Sequence, residues 1–336
     1  MKKLISDILN LIFSCFKLII AYFVKDFIIK DDEIYLIGSN YGSKRSDNAI
    51  ALYNYIKFLE MEVYFIENNP KDGNSLKRGS FKSFVYYFKS NGVFYSHSFS
   101  DILPGMHKAG RIMKYFGGPK KVFIQHGIIG FKEIDNYIRS LNDTMDYFLV
   151  SSVFERDIVK EVGIVEEKIK VLGLPRYDLL PKSFENSEEI LIFLSWQNNE
   201  RYIKKLNEII EVFKNSRYKL KIAVHDMVKE ELKIPENYLV SDIGKAVRES
   251  VMLITDDSSV AWDFFYNGRE VIFYKSEEKW YVDDEFFKCR KVETENELKK
   301  HLEKIRDKKL EVKVPNDLFQ YRDRKNSERV FDVLQK

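Results

Sequence analysis

The chain has 336 residues, 45% of them hydrophobic and 32% charged, with 55 Lys and Arg against 52 Asp and Glu for a net charge of +3. That length exceeds one ordinary core and fits two domains. The apolar share argues against disorder, and the balanced charge, with no dense basic stripe, argues against nucleic acid as a partner. Two cysteines, Cys15 and Cys289, exclude a disulfide framework and a cysteine zinc site, and fit a reducing compartment, the cytoplasm.

Residues 4–24 are rich in Leu, Ile and Phe but interrupted by Asp7, Asn10 and Lys17. A spanning helix needs about 20 mostly apolar residues, and both charges are costly near a bilayer centre. No small-residue cleavage site follows, against a secretory signal. With Lys2, Lys3, Lys17 and Lys25 along it, the stretch is expected to be an amphipathic helix in the membrane interface over acidic lipids. Burial on the protein itself and a transmembrane anchor are the alternatives.

From Glu33 onward, short β-branched and aromatic runs alternate with helical patterns. Strands are expected at 33–38, 62–66, 92–95, 121–124, 147–150 and 169–172, with helices at 48–58 and 153–161; 69–75 reads as a surface loop. After the polar stretch 181–188 come strands at 190–194, 220–224, 238–240, 251–254 and 271–274, a long helix at 200–213 and a charged helical end at 314–336. Alternation of this kind predicts parallel sheets covered by helices. The expected organisation is α/β: a membrane-associating helix at 1–31, then two domains, 32–182 and 183–336, facing each other over a cleft.

Ligands of open α/β sheets bind beyond the carboxyl ends of strands, so motifs at predicted strand ends carry the chemistry. Gln125-His126-Gly127 is the first; His126 reads as an exposed base or as a structural turn histidine. In Gly173-Leu174-Pro175-Arg176-Tyr177-Asp178, Arg176 offers a planar fork suited to phosphate oxygens. A local Arg176–Asp178 surface pair is the alternative, and Asp178 either orients Arg176 or caps a helix. His225 either donates to a phosphate or leaving group, or opens a helix. Thr255-Asp256-Asp257-Ser258-Ser259 precedes a helix expected from about Val260. Its hydroxyls, open N–H groups and helix dipole would make a phosphate site, a plain N-cap being the alternative. Asp263 falls on the same helix face as Ser259 and would hold the turn or meet a ligand hydroxyl. His97 is a weaker candidate, and His107 and His301 read as surface residues. No nucleophile elbow, dinucleotide glycine fingerprint or Walker loop is present, and no acidic cluster suited to Mg²⁺ stands out.

On these residues, with Lys132 downstream of the first motif and the run to Tyr274 after the last, the chain resembles the CDP-glycerol glycerophosphotransferase family over about residues 120–275. These are the enzymes of teichoic acid and related capsule synthesis. The resemblance implies a GT-B-like fold of two Rossmann-like domains, the first for acceptor and the second for nucleotide donor, and peripheral attachment to the cytoplasmic face of the membrane. It implies His126 and His225 as catalytic residues, and Arg176, Asp178, Thr255, Asp256, Ser258, Ser259 and Asp263 as the donor-phosphate set. No metal and no cofactor are expected; the resemblance implies a CDP-polyol, CDP-glycerol foremost, as substrate, and a hydroxyl of a lipid-linked saccharide or polysaccharide that receives the polyol phosphate as CMP leaves. Gln125 stands where many members have Trp, Asp257 where many have Tyr, and Asp226 where many have Pro. Asp257 brings negative charge close to the expected diphosphate. The length suits a single-addition enzyme better than a processive polymerase. A nucleotide-sugar transferase of the same fold and a non-catalytic membrane-bound partner in polysaccharide assembly are the rival readings.

Overall fold

The computed structural model describes residues 2–29, 33–45, 47–104, 117–181, 188–195, 198–214, 218–224, 234, 236–306 and 312–335. The first element is a helix, Lys2–Ile28. Leu18 and Ala21 are buried on one side of it, where it packs on the helix Phe81–Lys89 and Tyr22 meets Phe88 edge to face. The other side carries an exposed stripe of Phe13, Phe16, Ile20, Phe23 and Phe27 at alternating spacings of three and four. Lys17, expected to face lipid, instead donates to the Gly79 carbonyl at 2.9 Å. No helix among the described residues is long and apolar enough to cross a membrane.

The chain then divides into two compact units. The first holds seven strands: β1 (Ile34–Gly38), β2 (Glu62–Glu67), β3 (Ser75–Lys77), β4 (Ser90–Tyr95), β5 (Lys120–Phe123), β6 (Tyr147–Val150) and β7 (Ile169–Val171). Every pairing is parallel, in the order β3-β2-β1-β4-β5-β6-β7. β1 is buried along its whole length, as a parallel strand covered on both faces should be. Gly38 at its end lies level with Ile66 of β2 and Tyr95 of β4.

The second unit holds β8 (Glu189–Phe193), β9 (Lys219–Ala223), β10 (Met252–Thr255), β11 (Glu270–Tyr274) and β12 (Lys291–Val292), all parallel, in the order β12-β11-β10-β8-β9. The helix Asn199–Phe213 lays Tyr202, Leu206, Ile209 and Phe213 into a core shared with Ile190, Ile192, Ile254 and Ile272.

Several expectations need correction. The segment expected as a strand at 238–240 makes only a single bridge, Leu239 to Ile222. Part of the expected loop at 69–75 becomes β3, because Arg45 draws Glu67 and Ser75 together at 2.8 and 2.5 Å. Among the described residues of the expected helical end, the α-helix is confined to Asn326–Asp332, with a 3-10 turn at Asn316–Leu318.

The domain boundaries also differ. The division falls after Leu179 rather than at 182, Phe319–Lys336 packs with the first unit, and Gly127–Glu133 packs with the second. The causes are contacts far along the chain. Asp178 captures the terminal helix, and Phe331 packs edge to face on Tyr35. Phe131 sits among the rings of Trp262, Phe273, Trp280 and Phe287. Gly130 lies so close to Trp262 that a Cβ would stand 2.5 Å from its ring, and its carbonyl accepts the Tyr281 N–H at 2.9 Å.

Candidate functional site

In the first sheet the topology reverses between β1 and β4: β1 leads outward to β2 and β3, β4 the other way to β5. Loops leaving such a pair diverge and open a crevice at the carboxyl edge. The residues after β1, β4 and β5 meet there.

Gln125 follows β5 with φ of +54°, a left-handed conformation that costs a non-glycine residue energy. Its buried side chain supports the turn: Nε2 donates to the Leu149 carbonyl and, at 3.0 Å, to Glu155 Oε1. The chain turns sharply and His126 comes out exposed. Asn48, fully buried, donates through Nδ2 to the carbonyls of Ile124 (2.8 Å) and Gln125 (3.0 Å) and accepts the Arg176 N–H on Oδ1 (3.0 Å). Arg176 Nη1 donates to the His126 carbonyl at 2.7 Å. Two motifs 50 residues apart in sequence are thus one constellation.

His97, after β4, joins it. Its ring stacks on that of His126 with centroids 4.6 Å apart and planes 11° from parallel. The fully buried Asp101 organises the surrounding backbone: Oδ1 accepts the Tyr41 N–H at 2.8 Å, and Oδ2 accepts those of Ser96, His97 and Ser98 at 3.1, 2.8 and 3.4 Å. Sequence reasoning ranked His97 low and missed Asn48 and Asp101. A histidine directly beyond a strand end was the available signal for the first; the other two carried none.

Asp178 stands apart from Arg176. Its carboxylate accepts the Asn326 N–H and Nδ2 at 3.0 and 2.7 Å and the Ser327 N–H at 2.7 Å. It caps the terminal helix, the second of the two roles its position offered. The adjoining Gly173 (φ +81°) lies against Asn326, so close that a Cβ would stand 1.9 Å from Asn326 Oδ1.

In the second sheet the reversal falls between β8 and β10, and Thr255–Ser259 leaves there. Most of this run is committed internally. Thr255, fully buried, donates its hydroxyl to the Phe193 carbonyl and closes β10 onto β8. Asp256 is buried and Oδ1 accepts the N–H groups of Ser195 (2.8 Å) and Asp257 (2.7 Å). Burial pushes its carboxyl above the usual range against those two hydrogen bonds and Lys205; Lys205 Nζ stands 3.9 Å from Oδ2.

Asp257 accepts from Trp280 Nε1 at 2.6 Å and from the Glu277 and Glu278 N–H groups at 3.1 and 3.4 Å. Its charge therefore pins the 277–280 loop, where Lys132 meets Glu278 at 2.9 Å. Asp263 is buried beside Arg269. Burial pulls the Arg269 guanidinium down to about 9, and Asp263 acts against that. Arg269 Nη1 also donates to the Val247 and Ser250 carbonyls, each at 2.6 Å. Thr255, Asp256 and Asp263 are thus buried and engaged within the second unit.

The serines remain. Ser258 Oγ accepts the Val260 N–H at 3.3 Å, whereas the half-buried Ser259 hydroxyl makes no hydrogen bond among the described residues. The helix that follows, Ala261–Tyr266, begins one residue later than expected and has six residues, so its dipole adds less than a full-length helix would. His225 and Asp226 lie outside the described residues.

The family model for CDP-Glycerol:Poly(glycerophosphate) glycerophosphotransferase matches residues 20–203 and 205–336. The chain is 24% identical to the Minor teichoic acid biosynthesis protein GgaB of Bacillus subtilis (strain 168) over 87% of its own length and 38% of that protein's. It is 23% identical to the Teichoic acid poly(glycerol phosphate) polymerase of Bacillus spizizenii over 77% of its length and 79% of the polymerase's. Among solved structures, the wall teichoic acid polymerase TagF in a CDPG soak superposes with a TM-score of 0.70 at 14% identity, covering 98% of this chain and 97% of that one. A UDP-GlcNAc 2-epimerase from Neisseria meningitidis, bound to UDP-GlcNAc, reaches 0.58 at 12% identity over 90% of this chain and 99% of its own. These likenesses establish the fold, two Rossmann-like α/β units of the GT-B-like class. With a match running over nearly all of its length, the chain belongs to the CDP-glycerol:poly(glycerophosphate) glycerophosphotransferase family.

Proposed function

We propose that the chain transfers a polyol phosphate, glycerol phosphate, from CDP-glycerol to a hydroxyl of a lipid-linked or polysaccharide acceptor in teichoic acid or capsule synthesis. The observation that carries this reading is the constellation at the end of β5 in a chain of this family: an exposed imidazole on a strained turn, with an arginine held beside it. The acceptor oxygen attacks the phosphorus bearing glycerol, His126 takes the hydroxyl proton, and the bond from that phosphorus to the bridging oxygen breaks as CMP leaves. Charge gathers on phosphate oxygens, so positioning and electrostatics supply most of the acceleration. Arg176 supplies a fixed cation beside His126. Ser258 and Ser259 hold donor phosphate with hydroxyls and backbone N–H groups. His225 is kept as a second catalytic residue on sequence grounds. No cofactor or metal is invoked.

The test is a thermal-shift panel. CDP-glycerol should raise the melting temperature by binding the folded state, and UDP-sugars should not; a shift with UDP-sugars alone would favour the nucleotide-sugar reading, and no shift at all the non-catalytic one. Ser258→Ala combined with Ser259→Ala should weaken CDP-glycerol binding in calorimetry by about tenfold for each charge-assisted hydrogen bond lost. An unchanged affinity would remove the serines from the donor site.

The exposed stripe of the first helix supports placing the protein on the cytoplasmic membrane face, acceptor lipid beneath it. Changing Phe16, Phe23 and Phe27 to Ser should lower co-sedimentation with anionic lipid vesicles by about hundredfold or more, since each aromatic ring contributes apolar burial. Equal sedimentation of variant and parent would end this assignment.

A further inference from the structure

We propose that His97 is a positioning residue for His126: its imidazole, stacked face to face, fixes the plane of the His126 ring and raises that ring's proton affinity. The role rests on the reading of His126 as the base.

Each part of the His97 environment holds the ring in one orientation. The Asn40 N–H donates to Nδ1 at 3.3 Å, and Ser96 Oγ lies 2.9 Å from the same nitrogen. A backbone amide can only donate, so Nδ1 keeps its lone pair and the proton of the neutral ring sits on Nε2. Asn40 and Tyr41 adopt φ of +48° and +52° to present this amide, a conformation that non-glycine residues hold only where the surroundings enforce it. The His97 N–H rests on Asp101 at 2.8 Å, and the Tyr137 hydroxyl donates to the His97 carbonyl. That is more restraint than a half-buried loop histidine needs for stability alone.

The consequence follows from charge. When the acceptor O–H bond breaks, the proton arrives on His126 and makes an imidazolium. The face of a neutral aromatic ring 4.6 Å away attracts that cation; a second imidazolium would repel it. Among the described residues, the charged or titratable groups around the pair include Arg176, on the His126 carbonyl, Asp101, 4.0 Å from His97 Nδ1 with its oxygens taken by four backbone N–H groups, Tyr41, Tyr137 and, behind Asp101 and Tyr41, Arg78. Arg176 works against protonation of His126, so the stacked ring offsets it.

The experiment is a proton NMR titration of the imidazole resonances. The chain has five histidines, so single substitutions assign each. In His97→Ala the midpoint of His126 should fall by about half to one pH unit, and the acid limb of kcat/KM should move with it. His97→Phe keeps a flat ring and should retain most of the midpoint, whereas His97→Gln keeps an acceptor without a ring and should not. This second pair decides the matter even if His97→Ala fails to fold. An unmoved His126 midpoint, or His97→Phe matching His97→Gln, overturns the proposal. Failure of the underlying reading looks different. If His126→Ala still releases CMP, the base assignment falls and the proposal with it; if His126→Ala is inactive but position 97 leaves the titration unmoved, the pairing alone falls.

Discussion

Alanine at position 126 is expected to cut CMP release by about two to four orders of magnitude, the contribution of a positioned general base. The change should fall on kcat, with CDP-glycerol affinity in calorimetry close to that of the parent, because the imidazole is needed for the proton and not for the donor phosphates. Stability should change little. His126 is exposed, its backbone carbonyl still accepts from Arg176, and the turn is built by Gln125 and Asn48. Substitutions at exposed positions are usually within about 0.5 kcal/mol. A folded variant that releases CMP at nearly the parental rate would move the base elsewhere.

Asn48→Ala is expected to lower stability by about 2–4 kcal/mol and to reduce activity as well. One fully buried amide makes three bonds, to the carbonyls of Ile124 and Gln125 and from the Arg176 N–H. Removing it takes a donor from two carbonyls buried away from water, and each group so orphaned costs about 1–3 kcal/mol less whatever relaxation recovers. Asn48→Asp should be no better, since it keeps an acceptor for Arg176 but sets a carboxylate against two carbonyl oxygens. Urea unfolding gives the stability, and CMP release on the folded fraction gives the activity. A loss below about 0.5 kcal/mol would mean that the staple is not what holds the His126 and Arg176 loops together.

The alternation of short apolar strands with amphipathic helices was legible from residue order. Of the eleven strands expected, ten form within a residue or two of their expected places; the exception, 238–240, makes only a bridge. Elements with a weak local signal were not legible. β3 is three residues long and exists because β2 and Arg45 hold it, and β12 has two residues paired to β11. The limits of the compact units differ from the expected ones for a related reason. Segment 127–133 and the terminal helix read as parts of the units they adjoin in sequence, while Phe131 and Asp178 assign them by contacts far along the chain.

The candidate site divides along the same line. Residue order alone located the motifs at strand ends, named His126, Arg176 and the serine pair, and pointed to the family, because strand periodicity and turn chemistry are local properties. Tertiary structure alone decided which polar side chains are occupied. Thr255, Asp256 and Asp257 bond within the second unit, Asp263 is buried beside Arg269, Asp178 caps a helix 148 residues away, and His97 and Asn48 come to the His126 loop from other strands. A buried polar group must find a partner, and in a parallel sheet the partners at the carboxyl edge come from strands separated by whole crossover helices. Which of several serines, aspartates and histidines still faces outward is therefore settled only when the sheet is assembled.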